Sequence, residues 1–218
     1  MLIYLRKLGR ISLDKAKNSR GSMKSWIGRF IFESALIMFS ILCALAINSW
    51  HNDQENRNLV HQSLLTFQRE VGYNQQWVDS SYPYILGVRD VIVNTQQNNH
   101  PLGIEDFQQM IGSIQLALLR KSTWDTAVSA GVLTHMNFEL VAALSLTYGL
   151  QERVETIHND GLSEVVKNTY ELAENTRALN YSSVRYLNSI LEAESELKAA
   201  YDQVNEILRL QVELYSKN

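Results

Sequence analysis

Hydrophobic residues follow two different patterns along this chain, and the change comes near Trp50. The stretch RFIFESALIMFSILCALAINSW (29–50) contains an apolar run, Phe30–Ile47, that one glutamate and two serines interrupt. At ~1.5 Å per helical residue this run spans roughly 27 Å, close to the thickness of the hydrocarbon core of a bilayer. After Trp50 the apolar residues instead recur every three or four positions, as in packed helices. The pattern predicts one transmembrane helix followed by a helical domain.

The membrane helix is expected to continue outward. The apolar positions that follow it have helical spacing, with Asn74 filling one place in the series: Val60, Leu64, Phe67, Val71 and Val78. Pro83 should interrupt this helix, because proline lacks the amide hydrogen that a helix interior needs. Ile85–Gln97 is then predicted as a short separate helix. Asn98–Gly103 is predicted as a loop from its Asn, Pro and Gly content.

Two more helices are predicted in the middle of the chain. One covers Ile104–Leu119, with these apolar residues at helical spacing: Phe107, Ile111, Ile114 and Leu118. In the next, Ser122 or Thr123 can cap a helix that holds Trp124, and Gly131 can end it.

The last two helices should form the centre of the core. Asn137 can cap the first of them, which is apolar on two sides: Phe138, Val141, Leu144 and Tyr148 on one, Leu140, Ala143, Leu150 and Val154 on the other. His158–Gly161 (HNDG) is expected to kink or divide it. The final helix, Tyr181–Lys217, has a seam with two misfits, Glu194 and Gln211: Leu187, Ile190, Leu197, Tyr201, Val204, Leu208 and Tyr215.

These patterns predict an all-α fold, because no β pattern of useful length appears. The expected architecture is a single transmembrane helix that continues into an extracytoplasmic antiparallel helical bundle. The chain then divides into a basic cytoplasmic head (1–29), the transmembrane helix (30–50) and the extracytoplasmic domain (51–218).

Charge gives the expected orientation in the membrane. Eight Lys and Arg against one acid precede Phe30, whereas 12 Lys and Arg against 21 Asp and Glu follow Trp50. A basic flank stays in the cytoplasm, and Trp26 and Trp50 lie where aromatic rings prefer the membrane interface. An acidic body is a poor partner for nucleic acid, since phosphate contacts need clustered Lys and Arg. The expected partner of the basic head is anionic lipid.

Two alternatives at the N-terminus stay open. Residues 1–13 interleave apolar and basic residues, which suits either a short helix on the inner leaflet or a frayed basic tail. Ala44-Leu45-Ala46 has the small-x-small form that a signal peptidase accepts. Against cleavage, the basic region is long for a signal peptide, and the helical pattern continues after Ala46.

Glu33 is the unexpected residue of the span. A charge at mid-bilayer costs ~2.5–3.5 kcal/mol, and Arg29, four residues earlier on the same helical face, can lower this cost by pairing. Intramembrane carboxylates usually face protein, so Glu33 and Ser40 are predicted to contact another transmembrane helix, from a second copy or a different subunit. The alternatives are simple snorkelling to the interface and a proton relay, which would need several copies.

No motif for catalysis, a metal or a cofactor is found. The five histidines are dispersed without HExxH or i, i+4 spacing, and there is no Gly-rich phosphate loop or Cys-x-x-Cys. Cys43, in the span, is the sole cysteine of the sequence, so no intrachain disulfide is possible. His158 and Asp160 are interpreted as a solvated turn. Glu192, Glu194 and Glu196 are interpreted as a solvated face with one residue tolerated at the seam. Trp124 is interpreted as a core anchor in preference to a pocket wall.

The order of several motifs resembles a family of uncharacterised bacterial single-span membrane proteins that is known only as a domain of unknown function. That family has an early Glu in the span, a Gly near its middle, a late Ala and an Asn/Asp-x-Trp exit; Ser40 stands in the Gly position here. The matching residues of the span are Glu33, Ala44 and Asn48-Ser49-Trp50. A second motif matches at Thr123-Trp124, Ser129, Gly131, Asn137, Leu144 and Tyr148. The resemblance implies topology and fold, and no activity.

The function expected from the sequence is that of a scaffold. A bacterial inner-membrane protein of this organisation would bind other membrane or envelope proteins or a second copy of itself, and would not be an enzyme. One alternative is an extracytoplasmic ligand sensor, which would need a signalling partner because the 29-residue head has no room for an output domain. The other alternative is an envelope enzyme whose site is assembled from distant helices.

Overall fold

The computed structural model describes the backbone of residues 2–98, 102–171 and 175–217 and the side chains of 26–98, 102–169, 175 and 177–217. Every regular element in these ranges is helical, which confirms the predicted all-α class. The elements are α1 (Leu2–Gln97), α2 (Ile104–Gly112), α3 (Ser122–Ser129), a 3-10 turn (Val132–His135), α4 (Phe138–Glu171) and α5 (Thr176–Ser216). The chain forms two compact units, Met1–Glu55 and Asn56–Asn218. The side chains of the basic head before Trp26, and residues 99–101 of the predicted loop, lie outside the described residues.

The first unit contains a helix that is long and apolar enough to cross a membrane. Its most apolar window has a mean hydropathy of 2.4, and none of that window is buried inside the protein. Phe39 and Ile47, for example, are each 66% exposed. This helix therefore has its apolar surface on the outside, in contrast to a core helix of a soluble protein.

The second unit has two hydrophobic clusters along the same three helices. The first, called here the Phe67 cluster, combines Phe67 of α1 with Leu144 of α4 and Tyr201 of α5. The second, the Phe107 cluster, combines Ile85 of α1 and Leu187 of α5 with α2. The seams predicted in α1 and α5 are confirmed as buried, except that Tyr215 is only partly covered: Val60, Leu64, Phe67, Val71, Val78, Leu187, Ile190, Leu197, Tyr201, Val204 and Leu208.

Pro83 does not end the first helix, contrary to the prediction. It lies inside α1, so that Ile85–Gln97 is the last part of α1 and no separate helix. Val78 and Ile85, seven residues apart on either side of the proline, are both fully buried. Packing therefore holds the two flanking segments on one helical face, which compensates for the backbone hydrogen bond that proline removes.

The helix predicted for Ile104–Leu119 is wrong in its second half. It ends at Gly112, and residues 114–121 have no regular structure. Side chains take over the hydrogen bonds of this segment: Asn74 bonds both the N–H and the carbonyl of Arg120 (2.8 and 2.7 Å), and Glu155 accepts from the N–H of Leu119 (2.8 Å). These bonds explain the polar Asn74 within an apolar seam. They also leave Leu118, expected in the core, 74% exposed.

The helix ends in the middle of the chain agree in part with the sequence. Gly131 has a left-handed backbone (φ 69°) just after α3, where glycine is favoured, and Asn137 Oδ1 accepts from the N–H of Leu140 (3.2 Å) at the start of α4. Phe138, predicted in the core, is 84% exposed because it lies in the first turn of α4. α4 runs unbroken through His158–Gly161, so the predicted kink or division is wrong.

Gly161 is necessary because α5 approaches the backbone of α4 there. A Cβ built on Gly161 would lie 2.2 Å from a ring carbon of Tyr186, a distance that side chains do not tolerate. The Tyr186 hydroxyl donates to the carbonyl of His158 (3.0 Å), which fixes the ring against α4. The glycine of the HNDG segment thus serves helix packing in place of a turn.

We predict opposite effects for two glycine substitutions in α4. Gly161→Ala should lower the free energy of unfolding by about 1–3 kcal/mol, because overpacking outweighs the better helix propensity of alanine. Gly149→Ala, where nothing lies within 4 Å of the added carbon, should raise it by about 0.5–1 kcal/mol. Denaturant unfolding of the full chain in detergent, followed by circular dichroism, measures both. Equal effects of the two substitutions would contradict the close approach of Tyr186.

Candidate functional site

The predicted pairing of Arg29 with Glu33 is confirmed. Arg29 Nε donates to Glu33 Oε1 at 3.1 Å, four residues along the same helix. Both side chains are well exposed, Arg29 at 80% and Glu33 at 59%. The carboxylate therefore has a counter-ion on its own helix and still presents an open side to any neighbour.

Ser40 lies seven residues after Glu33, so the two share one face of the helix. The Ser40 hydroxyl donates to the carbonyl of Leu36 (2.8 Å), which satisfies its hydrogen within the helix and leaves its oxygen lone pairs as acceptors. Trp26 and Trp50 are 67% and 65% exposed. Trp26, Trp50 and the two residues predicted to contact another helix thus all lie on the exposed surface of the first unit.

The motif residues of the second unit meet around Glu70, a residue that the sequence analysis did not single out. Its carboxylate, which is 6% exposed, accepts from the N–H of Thr123 (3.0 Å), the hydroxyl of Ser122 (2.7 Å) and the hydroxyl of Tyr148 (2.8 Å). Neither Ser122 nor Thr123 caps α3 with its own side chain, so that prediction is wrong. A carboxylate from α1 thus satisfies one of the N-terminal amides of α3, that of Thr123, and suits the positive end of the helix dipole.

Trp124 is a core anchor, as predicted, and it also lines a cavity. Its ring stacks on Tyr148, with centroids 5.3 Å apart and planes 24° apart, and packs against the Phe67 cluster. It also lines a cavity of about 310 Å³ together with Asp125 and Glu152. Thr123, Trp124 and Tyr148 are therefore brought together, whereas Gly131 and Asn137 bracket the 3-10 turn.

A buried polar layer separates the two hydrophobic clusters. His158 Nε2 lies 3.2 Å from Glu194 Oε1, and both side chains are completely buried. Ser81 Oγ donates to the same carboxylate oxygen (2.9 Å), and the ring of Trp77 packs edge-on against His158 (5.5 Å). The layer thus joins α1, α4 and α5. His158 is not in a solvated turn, so that interpretation is wrong, whereas Glu192 and Glu196 are exposed and Glu194 lies buried in the seam, as expected.

Several buried polar atoms, two of them in this layer, have no hydrogen-bond partner among the described residues. They are His158 Nδ1, Glu194 Oε2, Asn159 Oδ1, Asn180 Nδ2 and Tyr201 Oη. A buried polar atom without a partner costs about 1–3 kcal/mol, so the layer is a place where the fold is less stable than an apolar core would be.

Three tyrosines that surround the polar residues are held in their neutral form. Burial, and then the hydrogen bond to Glu70, raise the pKa of Tyr148 far above its usual value of 10.0. Burial and the charge of Glu194 raise the pKa of Tyr186, and burial with the charge of Glu155 raises that of Tyr201. The hydroxyls of Tyr148 and Tyr186 donate hydrogen bonds, that of Tyr201 has no partner among the described residues, and none of the three is a base at physiological pH.

A second cavity, of about 560 Å³, lies between α4 and α5 next to the polar layer. Tyr186, whose hydroxyl bonds the backbone of His158, forms part of its wall, and charged side chains from both helices line it: Asp160, Glu164 and Arg185. Among the side chains that the structure describes, no group of three or more His, Cys, Asp or Glu could hold a metal ion. His100 lies outside them.

The sequence marks Glu194 as a misfit in its seam, but it does not reveal the histidine with which Glu194 pairs. Glu194 breaks a strict heptad seam, which is the sign of a buried polar residue with a partner. Nothing in the sequence identifies His158, 36 residues earlier, as that partner. Glu70 follows the seam position Phe67 by three residues, and only the tertiary contact with α3 gives it a role.

We predict that the polar layer stabilises the bundle through Glu194. Glu194→Ala should lower the free energy of unfolding by roughly 3 kcal/mol, because His158 and Ser81 lose their buried partner. The control is Glu192→Ala on the exposed side of α5, with an expected change within about 0.5 kcal/mol. Chemical denaturation of the full chain at neutral pH compares them. Equal stability of the two variants would contradict the buried pair.

We also predict a loss of stability at alkaline pH. A tyrosine whose pKa is raised in the folded state keeps its proton while the unfolded chain loses one, so stability falls as pH rises above 10. Between pH 9 and 11 each such tyrosine should account for about 1.4 kcal/mol of this loss. Tyr186→Phe should reduce the loss by that amount, whatever its effect at neutral pH. An unchanged pH slope in the variant would argue against a buried, neutral Tyr186.

Comparisons with known proteins do not place the chain. No protein-family model, no curated protein and no solved structure matches it. Function therefore has to be inferred from two features of the molecule. One unit has an exposed apolar helix with a paired carboxylate, and the other is a helical domain with a buried polar layer.

Proposed function

We propose that this protein is a membrane-anchored scaffold of the bacterial inner membrane. In this proposal α1 crosses the bilayer near residues 30–50, and the domain after it binds other membrane or envelope proteins or a second copy of the chain. The protein acts by binding and not as an enzyme. The likeness to single-span proteins of unknown function is part of the same proposal, and it supports the topology alone.

The observation that carries the proposal is Glu33 on an exposed apolar helix. Arg29 reduces its charge cost from one side, but at 59% exposure the carboxylate still has unused acceptor sites. In lipid such sites are best satisfied by a donor on another helix. Ser40, one heptad further along the same face, extends the polar contact, and Ala44 leaves room for a close approach there.

The orientation follows from charge. The excess of Lys and Arg before the span would keep the N-terminus in the cytoplasm, and the acidic domain would then lie in the periplasm. Basic residues of the head would bind anionic lipid of the inner leaflet. Neither part of the chain is proposed to bind nucleic acid.

The domain is proposed to be an extracytoplasmic bundle in which α5 runs antiparallel to α1. The contacts that support this order are Gln75 with Asp202, Asp79 with Lys198 and Ser81 with Glu194, since the partner numbers fall as those of α1 rise. The buried polar layer lies between the clusters and could fix the register of the three helices, as polar core residues do in coiled coils.

A ligand sensor is the second candidate. The cavity between α4 and α5 favours it, because a pocket between helices can couple a bound molecule to helix packing. The basic segment before the span would then transmit the signal through a separate output protein. The two candidates differ in what they require, since a scaffold needs a stable protein neighbour and a sensor needs a small ligand.

We predict that cysteines on the Glu33 face crosslink and those on the opposite face do not. In a Cys43→Ser background, Ala44→Cys lies on the side of Glu33, and Leu42→Cys lies about half a turn away. Oxidation in native membranes should give a disulfide-linked dimer for the first variant alone. Adding Glu33→Leu should weaken the association roughly three- to thirtyfold, the effect of one interhelical hydrogen bond.

A different subunit as partner is tested in the same membranes. A bifunctional crosslinker followed by purification should then capture a second protein from wild-type cells and much less of it from cells that carry Glu33→Leu. Ser34→Leu, on another side of the helix, is the matched control. Monomers alone, with no protein captured in a Glu33-dependent way, would contradict the proposed function.

A further inference from the structure

The cavity between α4 and α5 has the size of a small-molecule site. Its volume of about 560 Å³ falls within the range of known ligand pockets. Residues of α4 spaced by threes and fours form one wall, and residues of α5 with the same spacing form the other. The cavity therefore follows the line along which two packed helices face each other.

Its floor is rigid and partly apolar. The ring of Tyr186 lies on Gly161, where no other residue would fit, and its hydroxyl is fixed by the carbonyl of His158. Ile157 and Val165 add aliphatic surface on the side of α4. Such a floor suits the apolar part of a small ligand. Because its side chains are already fixed, little conformational entropy is lost when a ligand binds.

Three charged side chains of both signs surround this floor and are exposed to solvent. Asp160 and Glu164 lie one turn apart on α4, where like charges repel, and Arg185 belongs to the facing helix. None of the three forms an ion pair with any residue whose side chain is described. Elsewhere the same two kinds of group do pair between helices, as Arg153 and Glu196 show for α4 and α5.

We infer that this cavity binds a small zwitterion of the α-amino-acid class with an apolar side chain. The guanidinium of Arg185 can hold the carboxylate with two hydrogen bonds, and Asp160 and Glu164 can hold the ammonium group. The apolar side chain then lies on Tyr186. A ligand with both charges satisfies the groups on both helices at once, which neither a simple anion nor a simple cation does.

This site goes beyond the scaffold function and does not depend on it. Binding is measured on purified full-length chain in detergent, whereas association is measured between chains in a membrane. A negative result for ligand binding would leave the proposed association unaffected, and a negative result for association would leave the proposed ligand site unaffected.

Titration calorimetry with leucine and phenylalanine as probes tests the inference. Saturable binding is expected, and for leucine it should be at least ~tenfold tighter than for N-acetyl-leucine, which lacks the ammonium group, or leucine methyl ester, which lacks the carboxylate. No saturable binding of either amino acid at millimolar concentrations, or equal binding of the two derivatives and leucine, would overturn it.

Variants identify the groups responsible. Arg185→Gln and Glu164→Gln should each weaken leucine binding at least ~tenfold, and Arg185→Lys should recover part of the loss because it keeps the charge. Arg177→Gln, an exposed position of α5 outside the cavity, is the control and should bind as the wild type does. Unchanged affinity in Arg185→Gln would overturn the assignment, as would an equal loss in the control.

Discussion

An apolar helical surface without a protein to cover it is the constraint on which the rest of this molecule depends. Eleven Phe, Ile, Leu and Met side chains between Phe30 and Ile47 are each at least half exposed. Covering such side chains is worth ~1.5–3 kcal/mol each, so the group represents roughly 15–30 kcal/mol. That exceeds the ~5–15 kcal/mol of stability of a typical folded domain. Water is therefore the wrong solvent for this helix, and a bilayer is the environment that we propose for it.

The domain solves a different problem, since its helices contain polar residues at positions that face the core. In each case the hydrogen bonds are completed by a residue of another segment. Asn74 bonds the backbone of Arg120, and Glu70 accepts from the backbone N–H of Thr123 at the start of α3. Glu194 and His158 form a buried pair with each other. These contacts join residues that are far apart in the sequence, and each of them requires one particular geometry. They are therefore suited to holding the helices of the domain in one register. The unpartnered atoms beside the His158 pair are the cost of that specificity.

The helical class, the core seams of α1 and α5 and the caps at Gly131 and Asn137 could be predicted from the sequence, because period and capping are local properties. Continuity through Pro83 could not, since packing on both sides outweighs the local preference. The end of α2 at Gly112 was missed for a similar reason: the hydrogen bonds that replace the helix come from distant side chains. The Arg29–Glu33 pair was predictable from i, i+4 spacing. The partners of Glu70 and Glu194 were not, because only the tertiary fold brings them together.

The most direct test of this account is the side of the membrane on which the carboxyl terminus lies. Alkaline phosphatase is active only outside the cytosol, and it can be fused after the last residue of the full chain. The account predicts an active fusion in membranes, because the acidic domain follows a span whose basic flank stays inside. An inactive phosphatase fusion, together with a fluorescent protein that matures at the same position in the cytosol, would contradict it.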